Sequence, residues 1–218
     1  MQLPGEMYYR MKLSPIPKGF KTKAEAKSLE IRSQLNLSAT VACPARLVAG
    51  LFNTSVIPLQ SLNNVVAEHL TDLFDHKVVN QRLSLLSSGT SGFSAVAVVV
   101  ENLKLIIFND ANSVARQESD IMHELAHIIC EHPGDCLQLN STIGLRNYNA
   151  QYEEEASWLG ATLQIPDQGL YKLAKLGYTN QQIAEIFGAS LEMTTYRRRI
   201  LAIDRRLSFS KSKSMVNS

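Results

Sequence analysis

Long apolar runs are missing from this sequence. No stretch approaches the roughly 18–20 residues that a bilayer-spanning helix needs, so no segment is expected to cross a membrane. Cysteine is scarce: Cys43, Cys130 and Cys136 are the three present, odd in number and widely spread. They make neither a CxxC pair nor a disulfide framework, which fits a reducing compartment. The first residues, Met1-Gln2-Leu3-Pro4-Gly5-Glu6, lack the basic-then-apolar order of a secretory signal, so the cytosol is the expected location. Charge of one sign is not in excess either. A net charge of +2 over 218 residues gives no general affinity for polyanions. What is present is 45% hydrophobic and 19% charged residues, the balance of a globular chain. The length suits one domain with a sizeable core and a small appendage.

Four stretches follow one another. Residues 1–21, with Pro4, Pro15 and Pro17, form an irregular lead-in. Residues 22–168 hold the main domain. A helical stripe spans 22–36 (Ala24, Ala26, Leu29, Ile31, Leu35), and a short helix spans 44–51 with Pro44 in its first turn. Thr54 to Leu59 reads as an edge strand, since Pro58 cannot donate to a ladder. An amphipathic helix is predicted over 62–75. Two Val- and Ile-rich strands, 93–100 and 103–108, are joined by Glu101-Asn102 as a hairpin. A central helix, capped by Ser113 or Ser119, runs to about Cys130 and stops before Pro133, and another spans 152–164. Residues 169–207 read as a helical hairpin and 208–218 as a disordered polar tail. The predicted class is α+β, a small sheet packed on helices, with a mostly helical C-terminal part.

The chemistry sits on the central helix, in His123-Glu124-Leu125-Ala126-His127. Residues four apart are separated by about 40° of rotation and ~6 Å of rise, so both imidazoles share a face and can hold one zinc ion. Glu124 follows the first histidine, where its carboxylate can take a proton from a water that zinc has acidified. Met122, Leu125, Ala126 and Ile129 mark the same helix as buried. Polar groups there demand partners, which a metal supplies.

A third ligand is required. An elongated motif would place glycine at 130 and histidine at 133, but the chain has Cys130 and Pro133. The alternative is a glutamate from the next helix, which opens with Glu153-Glu154-Glu155. Glu153 is the best candidate. Ala156, Ser157 and Gly160 lie at its i+3, i+4 and i+7 positions, a flat face that lets the histidine helix approach closely. Glu154 shares its face with Trp158 and Glu155 with Leu159. Acidic residues are also favoured at helix N-termini for purely electrostatic reasons.

In order along the chain stand Ile106-Ile107-Phe108-Asn109, Arg116, the HExxH helix, Glu153-Glu154-Glu155-Ala156-Ser157 and Leu163-Gln164-Ile165-Pro166. Together these resemble the ImmA/IrrE family of metallopeptidases over about residues 22–200. The resemblance implies a zincin-like fold and Glu153 as the residue that completes the zinc site. It also implies cleavage of a DNA-binding regulator, often a helix-turn-helix repressor or an antitoxin. Ser157 stands where the family commonly has asparagine or aspartate, and a hydroxyl orients a ligand less firmly than a carboxylate.

Thr179-Asn180-Gln181-Gln182 is a capping-box start for a helix through Phe187, Gly188 turns the chain, and Ser190 caps a second helix to about Ala202. Ile183, Ala184, Phe187, Met193, Tyr196 and Ile200 would form the shared core of this helix-turn-helix-like hairpin. Thr194, Thr195, Arg197, Arg198 and Arg199 would then face outward. Packing against the peptidase is the favoured role and direct DNA binding is disfavoured, because Glu185, Glu192 and Asp204 interrupt the basic run. Ser157, Tyr148 and Tyr152 are candidates to orient a ligand or donate to an oxyanion. His132 is read as a helix-end cation off the metal face, and Cys130 and Cys136 as inert thiols.

Two functions compete. One is a zinc endopeptidase with Glu124 as base and His123, His127 and Glu153 as ligands. The other is a DNA- or protein-binding regulator with a structural or vestigial zinc site. Glu124 favours the first, since a structural site has no use for that carboxylate.

Overall fold

The computed structural model describes residues 16–61, 94–100, 103–132 and 149–216. The helix expected over 62–75, the Glu101-Asn102 turn, Cys136 and Tyr148 lie outside the described residues. Strands β1 (Thr54–Pro58), β2 (Ala95–Val100) and β3 (Leu103–Phe108) form a mixed sheet in the order β1-β3-β2. Val56 of β1 pairs with Ile106 in parallel, and Ala97 of β2 faces Ile106 from the antiparallel side. Ile106 and Phe108 are buried, as the two-residue period of a strand dictates. Pro58 ends β1, which lies at the edge of the sheet among the described residues, a place where proline is tolerated.

Among the described residues the helices are α1 (Phe20–Gln34), α2 (Ala45–Leu51), α3 (Val114–Ile129), α4 (Ala150–Gln164), α5 (Asp167–Lys175), α6 (Asn180–Phe187), α7 (Leu191–Ile200) and α8 (Ile203–Val216). The arrangement is α+β, mostly helical, as the sequence predicts. Ile121, Met122, Leu125 and Ala126 turn one stripe of α3 into a core shared with Ile31, Val48, Ile106, Phe108 and Leu163. Each such aliphatic side chain contributes about 1.5–3 kcal/mol on burial. Glu118 of α3 accepts from the Ala45 N–H at 2.7 Å, so it closes the start of α2, where Pro44 has already set the entry angle.

A second cluster, Ile165, Leu170, Leu173, Ile183, Phe187 and Ile203, gathers α5 to α8. The capping box at Thr179, left-handed Gly188 (φ 64°) and the Ser190 cap all form as the sequence predicts. The outward face does not. Thr194 and Arg197 are fully buried, while Thr195 and Arg199 are exposed. Met193, Tyr196 and Ile200, expected in the core, are only half-buried. The cause is the carbonyl end of α4, which α7 must cover. Arg197 donates to the Ile165 carbonyl at 2.9 and 3.1 Å and pairs with Glu25 of α1 at 2.8 Å. Glu25 also accepts from the Asp167 N–H at 3.0 Å, so it opens α5.

The tail expected to be disordered from residue 208 is instead helical through 216. No glycine or proline interrupts residues 203–216. Once buried Ile203 anchors the first turn, further turns propagate without a new nucleation cost.

Candidate metal centre

The turn from β3 into α3 fixes where the histidines point. Gln117 donates to the Asp110 carbonyl at 3.2 Å and to the Asn112 carbonyl at 2.8 Å. Asn109 accepts from the Ala111 N–H at 3.0 Å. Ser113 occupies the N-cap position in extended backbone, but its side chain makes no capping bond. With the apolar stripe of α3 turned inward, His123 and His127 fall on the neighbouring stripe, which faces α4. The approach is close there: a methyl group added at Gly160 would lie 3.1 Å from the Met122 carbonyl oxygen and 3.2 Å from the His123 Cα. This is the small-residue contact that the sequence predicts.

Across it, three donors converge. His123 Nε2 lies 3.1 Å from His127 Nε2 and 3.1 Å from Glu153 Oε2, and His127 Nε2 lies 3.5 Å from Glu153 Oε1. A tetrahedral zinc site with bonds of about 2.0–2.1 Å has ligand–ligand edges of about 3.3–3.4 Å. The three spacings bracket that value, and two nitrogens with one carboxylate oxygen make a suitable donor set. Among the described residues these form a candidate metal group. Glu154, by contrast, is pushed up by partial burial, which Lys21 only partly offsets, and is not part of the cluster.

The electrostatics fit the geometry. Burial pushes the His127 imidazole down, a trend that the neighbouring Glu153 carboxylate partly offsets. Such a ring stays neutral, as a ligand must. Burial acting alone would raise the Glu153 carboxyl, but its contacts with His123 and His127 outweigh it and hold the group well below the usual carboxylate range. Glu124 stands beside the donors without joining them. It is buried, and its Oε2 accepts from the Ala97 N–H of β2 at 2.8 Å.

His132 departs from the reading of it as a helix-end cation. Its Nδ1 lies 3.0 Å from His127 Nδ1 and its Nε2 lies 3.0 Å from Glu155 Oε2. The backbone explains the placement. His132 N–H bonds the His127 carbonyl and Glu131 N–H bonds the Ile128 carbonyl, with Glu131 left-handed at φ 53°. That is a Schellman turn, which folds the residue after the turn back over the last helical turn. The signal missed in the sequence is a histidine two residues beyond the C-cap residue Cys130, at the position such a turn returns. Glu155 is likewise a buried partner rather than a solvated acid at a helix start.

Of the remaining candidates, Ser157 Oγ lies 3.5 Å from His123 Nδ1, at the outer limit of a hydrogen bond. Tyr152 stacks its ring on His132 at 4.6 Å between centroids. Cys130 is pushed up to about 11, first by burial and then by Glu155, as an inert thiol requires.

The Peptidase_M78 family model, described as an IrrE N-terminal-like domain, matches residues 75–199. That span contains both histidines, Glu124 and Glu153 and covers more than half of the chain. The chain belongs to this family. It is therefore a peptidase-family domain, in agreement with the resemblance read from its motifs. No curated protein matches the sequence. Among the described residues, no helix is long and apolar enough to cross a membrane.

Proposed function

We propose that the chain is a zinc-dependent endopeptidase with His123, His127 and Glu153 as ligands and Glu124 as general base. The observation that carries this reading is the convergence of the three donor atoms, all within 4.8 Å of one another, with a buried carboxylate beside them that is outside the donor set. Zinc held there supplies Lewis acidity, which brings the pKa of water near neutrality and polarises a peptide carbonyl. Glu124 then takes the proton of the attacking water at its carboxylate. It delivers that proton to the departing amide nitrogen as the C–N bond breaks, leaving a carboxylate and an amine. The Ala97 N–H holds the Glu124 carboxylate in place for both transfers.

Family membership favours a protein regulator as substrate, a helix-turn-helix repressor or an antitoxin, in the cytoplasm. The buried state of Arg197 supports docking rather than DNA reading by the hairpin. One cation of the basic run is spent inside, and Arg198 is paired with Asp204 at 2.7 Å. The experiment is Glu124→Gln, which should retain zinc and fold while proteolysis falls by about 10²–10⁴. Wild-type cleavage by that variant would refute the assignment.

A further inference from the structure

His132 belongs to the metal centre without touching its donor point. From Glu155 inward, the donors and acceptors along this line can be assigned one at a time. Glu155 is buried, and its Oε1 accepts from Gln151 Nε2 at 2.8 Å while its Oε2 faces His132 Nε2 at 3.0 Å. A carboxylate only accepts, so His132 Nε2 carries a proton. In a neutral ring His132 Nδ1 is then a lone pair, and it faces His127 Nδ1 at 3.0 Å. His127 must therefore carry its proton on Nδ1. Its Nε2 is left as a lone pair that faces His123 Nε2 at 3.1 Å, with the Glu153 Oε1 farther off at 3.5 Å.

We infer that His132 and Glu155 are positioning residues that lock His127 in the tautomer whose Nε2 can ligate a metal. The inference rests on the reading of His127 as a ligand. The opposite tautomer would set two lone pairs, His127 Nδ1 and His132 Nδ1, against each other at 3.0 Å. Glu131 takes a left-handed backbone without being glycine, a conformation that side chains disfavour and that the turn over His127 requires. Tyr152 closes the slot by stacking on His132 with 17° between the ring planes. The two histidines are thus supported unequally. His127 has this ordered line of hydrogen bonds, whereas His123 Nδ1 has the Ser157 hydroxyl at 3.5 Å. Which ring nitrogen binds metal is set by the bond the other makes, and losing such an outer partner typically weakens metal binding about 10–100-fold.

The deciding measurement is the long-range ¹H–¹⁵N imidazole spectrum of the uniformly labelled, metal-free full chain at pH 8. The proton of His127 should be found on Nδ1 and that of His132 on Nε2. A His127 protonated on Nε2, with or without a doubly protonated His132, overturns the inference, and the wild-type spectrum decides this even where a variant fails to fold. Zinc affinity gives an independent readout. Glu155→Gln, whose amide can donate to His132 Nε2 and so reverse the line, should bind zinc about 10–100-fold more weakly. His132→Phe keeps the stack but not the acceptor and should fall by a similar factor. His132→Asn, with an oxygen near the place of Nδ1, should recover most of the affinity. Equal zinc affinity in wild type, Glu155→Gln and His132→Phe would also overturn it. A wild-type chain that binds no zinc would instead sink the proposed function, while the spectrum still reports the tautomer.

Discussion

Arg32 and Arg197 meet at one helix end. Between them their guanidinium groups take the Leu163, Gln164 and Ile165 carbonyls that close α4. A helix leaves its last carbonyls without internal partners and carries partial negative charge there. With the end of α4 buried, water cannot satisfy those groups. Arg32 brings α1 to the site, and Arg197 brings the C-terminal hairpin. Glu153 lies on the first turn of the same helix, so the two arginines anchor the element that carries a candidate metal donor.

Arg197→Met should therefore destabilise the whole chain. It orphans the buried Ile165 carbonyl, a loss of about 1–3 kcal/mol, and removes one partner of part-exposed Glu25. Arg199→Met, on the exposed face of the same helix, should change stability little. Urea unfolding compares the two, and equal midpoints would show that Arg197 does not hold the end of α4.

Gly160→Ala should weaken zinc binding. Alanine favours the helix by up to about 1 kcal/mol, but the new methyl meets the backbone of Met122 and His123 at 3.1–3.2 Å, which cannot swing aside. Overpacking costs about 1–3 kcal/mol, and it acts on the contact that sets the spacing between His123 and Glu153. A zinc affinity reduced about tenfold is expected. Unchanged affinity in a competition titration would show that the contact is slack.

Among the three consecutive glutamates, Glu153→Gln should lose the most zinc. It removes a donor atom, and its effect should exceed the roughly 10–100-fold typical of an outer partner. Glu154→Gln should bind like wild type, with Glu155→Gln between them. Elemental analysis after dialysis against a weak chelator ranks the three, and zinc retained at full occupancy by Glu153→Gln would exclude it as a ligand.

The metal-free chain should lose stability on acidification. Burial keeps His127 below its ordinary value in the folded state, so its contribution is complete above about pH 6.5 and falls as the pH drops through the lower folded value. Glu153 acts in the same sense at lower pH, because its folded value is also depressed. Its share is present above the usual carboxylate range and is lost below it. Urea midpoints should be level from pH 8 to 7 and fall steadily toward pH 4. A midpoint rising just below pH 6 would contradict the His127 shift, and one rising within the carboxylate range would contradict that of Glu153.

The sequence by itself determined whatever is local or periodic. The four-residue spacing of His123 and His127, the small face of Ala156, Ser157 and Gly160, the capping box at Thr179 and the turn at Gly188 are each written within one or two helical turns, where backbone geometry is fixed. From these the α+β class, the histidine helix, the convergence of Glu153 on the two histidines and the family were all legible. Tertiary structure alone decided what distant segments require of each other. Arg197 lies in a basic run that looks exposed, yet it turns inward because the carbonyl end of α4 has to be closed, a demand that residues 191–200 do not reveal. His132 looks like a polar residue past a helix end. It acquires its place only when a left-handed Glu131 folds it over His127 and α4 delivers Glu155 to its far side. Hydrogen-bond satisfaction in a buried site is a long-range condition, and no spacing along the chain encodes which partner will meet it.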